Sequence, residues 1–468
     1  MALLNKVLGL PLRQEEVDFL IPDIDVDRKL GIDPFLLYRS PNPNFKRAHD
    51  NLIIFFHSVI ELIRNDKIDD AIEYLQFPEP NEICLGYTAK GIGGSGVGHE
   101  LAKEIVSVFA SSPALLDRRL RHIEELQLVC PGIGPDRISD ICANILKYFL
   151  IEYTQMQCEH WNIPVDKFVP VNHFFDFTEF SWRDAYFDLP RNPSFGGPLL
   201  FVPRRILRIL PWINYDEYVV NYKDFFLGAM GGRRRKKLTL KKSEKVSLIK
   251  DKICEVTRAD TRYMDLYVQR KEKDADKAQP YELNMMRDST ALKEEAGRLI
   301  GQLSLLSPGR EDAYEYQDIV HRIINFCLHP HLVDGRPQER TIDGTLIRDI
   351  IYLNEGILNF WRYIQNVYNS LFIIFELKNK LKTVGTDIDQ LSTYLGDPLG
   401  RFGILISRGG KNESFSRRKI IFNKDSSRKV ILHLCDDDLI NILNIRGSGG
   451  DTSFYIQNLY REFITKIE

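Results

Sequence analysis

The sequence predicts an α/β fold in its last third, a mixed sheet flanked by helices, preceded by a mixed α+β N-terminal region. Three observations carry this. Beyond Arg310, segments with helical spacing alternate with short apolar runs of strand length. Ahead of that point the pattern is irregular, with glycine- and proline-bearing turns between helical stretches. A chain of 468 residues also exceeds what one ordinary core organises, so two or three domains are expected.

The composition, 44% hydrophobic and 27% charged, is that of a globular chain with ample material for packed cores. The formal net charge is −2, so a nucleic-acid partner has to be argued from local patches. No apolar run reaches the roughly 18 residues of a membrane span. The opening MALLNKVLGLPLRQEEVDF turns acidic too soon for a secretory leader, so a cytoplasmic protein with no membrane partner is expected. The seven cysteines include no Cys-x-x-Cys pair, which favours neither a disulfide framework nor a cysteine zinc site.

From Glu15 to Tyr38 the chain reads as short strands and turns: VDFLI, PDIDVD and DPFLLY. Asn44 to Leu75 is helical around NLIIFFHSVIELI. The loop KGIGGSGVG opens into the helix HELAKEIVSVFA, and two further helical stretches flank the turn PGIGPDR. An aromatic, proline-rich region from His160 to Tyr222 holds FVPRRILRILPWINYDEY, read as a helix closed by a proline-bearing turn. The basic run GGRRRKKLTLKKSEK follows Met230. RKEKDADKAQP lacks apolar periodicity and reads as a solvated loop or linker, and a helix from Ser289 to Leu306 ends at SPGR. Three domains are expected: an unassigned region for recognition or partner binding over 1–230, a basic segment and helical linker over 231–306, and an α/β domain over 307–468.

Within that last domain AYEYQDIVHRIINFCL has helical spacing, TLIRDIIYL reads as a strand and EGILNFWRYIQNVYNSL as a helix. FIIFELKN is a second strand, TDIDQLSTYL a third helix, RFGILIS a third strand, and RKIIF and KVILHL two more strands. Two helices close the chain, the last starting near Asp451.

FIIFELKN is apolar until Glu376 and Lys378, which are two residues apart and share one face of the strand. A carboxylate and an ammonium at the end of a core strand are either a surface ion pair worth little or groups with work to do. Asp349 lies inside the apolar strand TLIRDIIYL, and adjacent pairing of the two strands would bring it near Glu376. Glu315 is one helical turn before Ile319 and extends the stripe of Ile319, Ile323 and Cys327, so it is expected to face inward. Gln390 and Tyr394 are four apart on one helix, with Thr386 as N-cap and Asp389 three residues on.

An acidic residue on a first helix, an Asp on a strand, Glu-x-Lys on the next strand and Gln-x-x-x-Tyr on the following helix resemble the PD-(D/E)xK nuclease superfamily. Gln-x-x-x-Tyr is similar to its RecB-type branch, and RDIIYLN…FW…FELKN to restriction-endonuclease-like proteins. The resemblance covers roughly the last third of the chain. It departs at Arg348, which precedes Asp349 where the superfamily's motif has a proline, one that its members often lack. Asp343, in IDGT, is a rival for the aspartate role, and Asp349 is preferred because it sits within the strand.

The resemblance implies a restriction-endonuclease-like sheet and Mg²⁺- or Mn²⁺-dependent hydrolysis of phosphodiester bonds. Glu315, Asp349, Glu376 and the Leu377 carbonyl would hold the metal. Lys378 would position or deprotonate water or stabilise charge, and Gln390 and Tyr394 would orient substrate or the lysine. DNA is the expected partner, with RNA as the rival substrate and a non-cleaving nucleic-acid-binding or assembly subunit as the rival function. A role in restriction or anti-phage defence, and a homodimer or a partner subunit, are expectations of the same kind.

Other features keep two readings each. Arg233, Arg234, Arg235, Lys236, Lys237, Lys241 and Lys242 form either a phosphate-binding patch or a solvated loop. VCPGIGPDRISDI resembles the turn of a helix-hairpin-helix module, in which Gly132 and Gly134 would present amides to DNA phosphate, or it is a plain interhelical turn. The loop KGIGGSGVG, with Lys90 nearby, is a phosphate site or a helix-entry loop without the P-loop ending. Asp23, Asp25 and Asp27 alternate as a metal site or as the wet face of an edge strand. His329 and His331 read as loop residues.

Overall fold

The computed structural model describes residues 3–467 apart from 11, 15–16, 87–95, 195, 223–224, 227–241, 282–288, 341–346, 357–358 and 425–427. Most of the loop KGIGGSGVG, all of the basic run from Arg233 to Lys241, and Asp343 therefore lie outside the described residues, as does the side chain of Lys242. Two compact units emerge: Met1–Leu12 with Phe19–Tyr281, and Arg13–Asp18 with Glu282–Glu468. Among the described residues no helix is long and apolar enough to cross a membrane.

The first unit is built on the helix Pro43–Arg64. Phe45, Ala48, Leu52, Phe55, Phe56, Val59, Ile60 and Ile63 recur on it at three- and four-residue spacing and are buried. An antiparallel hairpin, Asp166–Asp176 with Ser181–Leu189, sets Phe175 against Phe55 with ring centroids 4.8 Å apart. This hairpin falls in the region that the sequence marks only as aromatic and proline-rich.

Several expectations are corrected here. DPFLLY is a helix, Pro34–Arg39, because Asp33 caps it from the N-cap position, accepting from Phe35 N at 3.1 Å, and Pro34 starts it. FVPRRILRIL is a short turn of 3₁₀ helix, Arg204–Ile206, followed by a two-residue strand, Leu207–Arg208. The helix comes later, Tyr215–Asn221, capped by Asn214 through Glu217 N. RKEKDADKAQP begins as the end of the helix Arg262–Lys273. Lys271 there is buried, with its ammonium 3.6 Å from the Trp212 ring centroid and 2.6 Å from Glu217. Asp23 and Asp27 are buried, because PDIDVD forms a bend and not a strand, while Asp25 is exposed and accepts from Ser194 Oγ at 2.7 Å.

In the second unit the order is α1 (Ser289–Leu305), α2 (Ala313–Leu328), β1 (Leu332–Arg340), β2 (Ile347–Asn354), α3 (Asn359–Val367) and β3 (Phe372–Lys378). Then come α4 (Gly385–Tyr394), β4 (Phe402–Ser407), α5 (Lys411–Lys424), β5 (Val430–Cys435), α6 (Asp436–Gly447) and α7 (Ser453–Ile467). The five strands form one mixed sheet in the order β1-β2-β3-β4-β5. β1, β2 and β3 pair antiparallel, whereas β3-β4 and β4-β5 are parallel, with α4 and α5 as the crossovers.

β1 is absent from the sequence reading because Gly335 and Pro337 interrupt its pattern, and an edge position tolerates both. RKIIF, read as a strand, lies in α5. Its buried residues Ser414, Arg418, Ile421 and Phe422 follow helical spacing, and polar or charged residues at two of those positions hide the period. His329 and His331 are turn residues as expected, but buried, 3.4 Å from Asp18 and 3.7 Å from Asp451.

β3 divides two cores. Ile373, Phe375 and Leu377 face the larger one, with Ile319, Ile323, Trp361 and Leu439. Ile374 faces the smaller one with Ile388, Leu391 and Tyr394 of α4. Trp361 is fully buried, and its indole N–H donates to Ser453 Oγ at 2.9 Å. Replacing Trp361 by alanine is expected to destabilise this unit by about 3–5 kcal/mol, read as a lower urea midpoint. A midpoint unchanged from the parent would show that this core tolerates the cavity.

Candidate active site

Glu376 and Lys378 lie on the face of β3 that carries Ile374 and meets α4. Antiparallel pairing sets Ile350 opposite Phe375, so the next residues along, Asp349 and Glu376, come side by side. Asp349 Oδ2 accepts from Leu377 N at 2.8 Å, which places Leu377 at the site through its backbone, while its side chain is in the core.

A polar line, hydrogen-bonded from Glu376 to Tyr394, crosses this face, with Asp349 held separately beside it. Gln317 Nε2 donates to Asp349 Oδ1 at 3.3 Å. Lys378 Nζ donates to Glu376 Oε1 at 2.6 Å and to Gln390 Oε1 at 3.2 Å. Gln390 Nε2 in turn donates to Tyr394 OH at 3.0 Å. α4 orients the last two because residues four apart share a helix face. Its start differs from the expectation: Val384 is the N-cap, and Asp387 accepts from Val384 N at 3.0 Å. Asp389 instead pairs with Arg417 at 2.6 Å.

The electrostatics are unbalanced. Glu376 is fully buried. Burial first, and the neighbouring Asp349 charge second, push its carboxyl up to about 7 despite Lys378. Burial likewise raises Asp349, against the Leu377 N–H and the Lys378 charge. For Lys378 burial favours the neutral amine, but the Glu376 carboxylate outweighs it and holds the ammonium above its usual range. Glu376 Oε2 is buried and meets no hydrogen-bond donor among the described residues.

Two carboxylates against one ammonium, with a buried oxygen lacking a partner, fit a hard divalent cation. Asp349 and Glu376 would hold it, and Mg²⁺ readily keeps water in its remaining positions.

Glu315 is not brought into this set. It is exposed on α2, about 100° of helix rotation from the buried Tyr316, because the buried stripe is centred on Tyr316, Ile319, Val320 and Ile323. Gln317, two residues on, is the α2 side chain that reaches Asp349. Among the described residues, no three His, Cys, Asp or Glu groups stand where they could hold one metal ion. The sequence reading missed Gln317 because no local pattern separates it from other polar residues of α2.

Gly132 and Gly134 lie in a turn before the helix Pro135–Ile145, with Gly134 as its N-cap. A Cβ on Gly132 would come within 2.7 Å of Leu101 Cδ1, the end of a flexible side chain that can shift aside. The turn's carbonyls are taken by its own unit: Arg137 donates to Gly132 O, and Lys250 donates to Ile133 O at 2.6 Å.

A family model described as "Domain of unknown function (DUF8370)" matches residues 9–214, a stretch that excludes the Asp349–Glu376–Lys378 site. The chain is 27% identical over 131 residues to "Putative transposon gamma-delta 80.3 kDa protein" of Escherichia coli (strain K12). That match covers 27% of this chain and 18% of the relative. No solved structure matches the chain.

Proposed function

We propose that the second unit is a metal-dependent nuclease that hydrolyses phosphodiester bonds in DNA. The observation that carries this is the pairing of β2 with β3, which sets Asp349 beside Glu376 and Lys378 with Gln390 and Tyr394 in line behind the lysine. The mixed sheet supports the resemblance to the PD-(D/E)xK superfamily. The transposon named in the relative's title favours DNA over RNA, and a role in restriction or defence rests on the resemblance.

Asp349 and Glu376 would hold Mg²⁺ or Mn²⁺, which when bound supplies Lewis-acid stabilisation of the phosphate and an activated water. Leu377 N–H and Gln317 fix the Asp349 carboxylate. Lys378, kept protonated by Glu376, stabilises negative charge developing on the phosphate and is a poor general base. Gln390 orients Lys378 and is itself held by Tyr394.

The test is incubation of the purified chain with plasmid, linear and single-stranded DNA, and with RNA, in Mg²⁺ and in EDTA. Cleavage of DNA in Mg²⁺ that stops in EDTA is expected. Cleavage of RNA alone would replace the substrate class, and no cleavage of any polymer would overturn the nuclease reading. The second reading is a non-cleaving nucleic-acid-binding or assembly module.

A further inference from the structure

Arg348 immediately precedes Asp349 on β2, and the nuclease reading gives it no task. Its guanidinium carbon lies 5.9 Å from the centroid of the Tyr394 ring. Tyr394 accepts from Gln390, and Gln390 accepts from Lys378, so Arg348 stands at the far end of the same polar line. The residue is half-buried, and its Nε is withdrawn from water with no hydrogen-bond acceptor among the described residues. No carboxylate pairs with Arg348 among the described residues, although Asp349 is its neighbour and accepts instead from Gln317 and Leu377.

This is an unusual way to keep an arginine. A guanidinium taken partly out of water ordinarily recovers its hydration through a carboxylate or carbonyl. Here an aromatic ring lies beside it, and among the described residues no carboxylate neutralises its charge. The planar fork of donors matches the oxygens of a phosphate.

Resting on the nuclease reading, we propose that Arg348 is a phosphate anchor, binding a backbone phosphate of the nucleic-acid strand that lies along Lys378, Gln390 and Tyr394. It would set the strand's position relative to Lys378, so its loss weakens binding and slows cleavage through misplacement.

The experiment measures binding and cleavage separately in the full chain. Binding of a labelled DNA duplex is followed by fluorescence anisotropy in Ca²⁺ over a salt series, in a Glu376→Gln background to prevent turnover. Plasmid cleavage in Mg²⁺ is followed with Glu376 intact. Arg348→Met is expected to weaken DNA binding about tenfold and to lower the salt slope by roughly one. Its KM is expected to rise more than its kcat falls. Arg348→Lys restores the salt slope, because it restores the charge, but recovers cleavage only in part, because it lacks the planar fork.

Thermal melts check that both variants fold; if Arg348→Met melts early, Arg348→Lys and Arg348→Gln carry the comparison. Cleavage by the parent with unchanged affinity and slope in Arg348→Met would overturn the anchor and leave the nuclease standing. Absence of cleavage by the parent together with a reduced slope in Arg348→Met would overturn the nuclease and leave a phosphate contact.

Discussion

Replacing Lys378 by alanine, or Glu376 by glutamine, is expected to lower Mg²⁺-dependent cleavage by about a thousandfold while the chain stays folded. Glu376→Gln keeps the shape and removes the charge that would hold the metal. It also removes the partner that keeps Lys378 protonated. Lys378→Ala removes the cation nearest the polar line and leaves the buried Glu376 carboxylate beside the half-buried Asp349. Asp349→Asn is expected to fall in the same range. Single-turnover cleavage, with circular dichroism as the folding control, checks all three. Cleavage that survives in Glu376→Gln and Lys378→Ala alike would show that the activity resides elsewhere in the chain.

Without divalent ions, the second unit is expected to lose stability as pH rises from 5 to 8. The folded Glu376 carboxyl titrates at about 7, above its ordinary 4.5, because burial and Asp349 disfavour the charge. Below the ordinary value the group is protonated folded or unfolded, and it imposes no penalty. As pH climbs, the unfolded chain ionises first and is favoured, and the penalty is complete once pH passes about 7. Its size is on the order of 3 kcal/mol at pH 8, and Asp349, shifted the same way, adds to it.

Urea unfolding at pH 5 and pH 8 reads this directly. Glu376→Gln should flatten the profile and be the more stable protein at pH 8, the opposite of its effect on cleavage. Mg²⁺ or Ca²⁺ should restore the parent at pH 8 and leave Glu376→Gln nearly unmoved, since ligand binding stabilises only a folded state that binds. A parent whose stability is level between pH 5 and pH 8 would mean that the Glu376 carboxylate is already compensated.

The sequence by itself determined which face of β3 carries the charged pair. Glu376 and Lys378 are two residues apart in an otherwise apolar run, and period-two geometry puts them on one face without knowledge of any partner. The helical spacing of Gln390 and Tyr394 is legible for the same local reason, as are β2, β3, β4 and β5. Local patterns failed where a position's environment sets its conformation. Gly335 and Pro337 conceal an edge strand, and Arg418 conceals a buried helix face because a cation interrupts the apolar period.

Tertiary structure alone decided which groups meet. Glu315 and Gln317 are both polar residues near the start of α2, and only the cover over Tyr316 and Ile319 turns the first to solvent and the second to Asp349. Asp349 reaches Glu376 through the register of β2 on β3, a one-residue slip of which would reverse every side chain. Arg348 acquires its place over Tyr394 from the packing of α4 on the sheet. Periodicity along the chain specifies faces, whereas contact between faces depends on register and on which helix covers them, and neither is encoded within one segment.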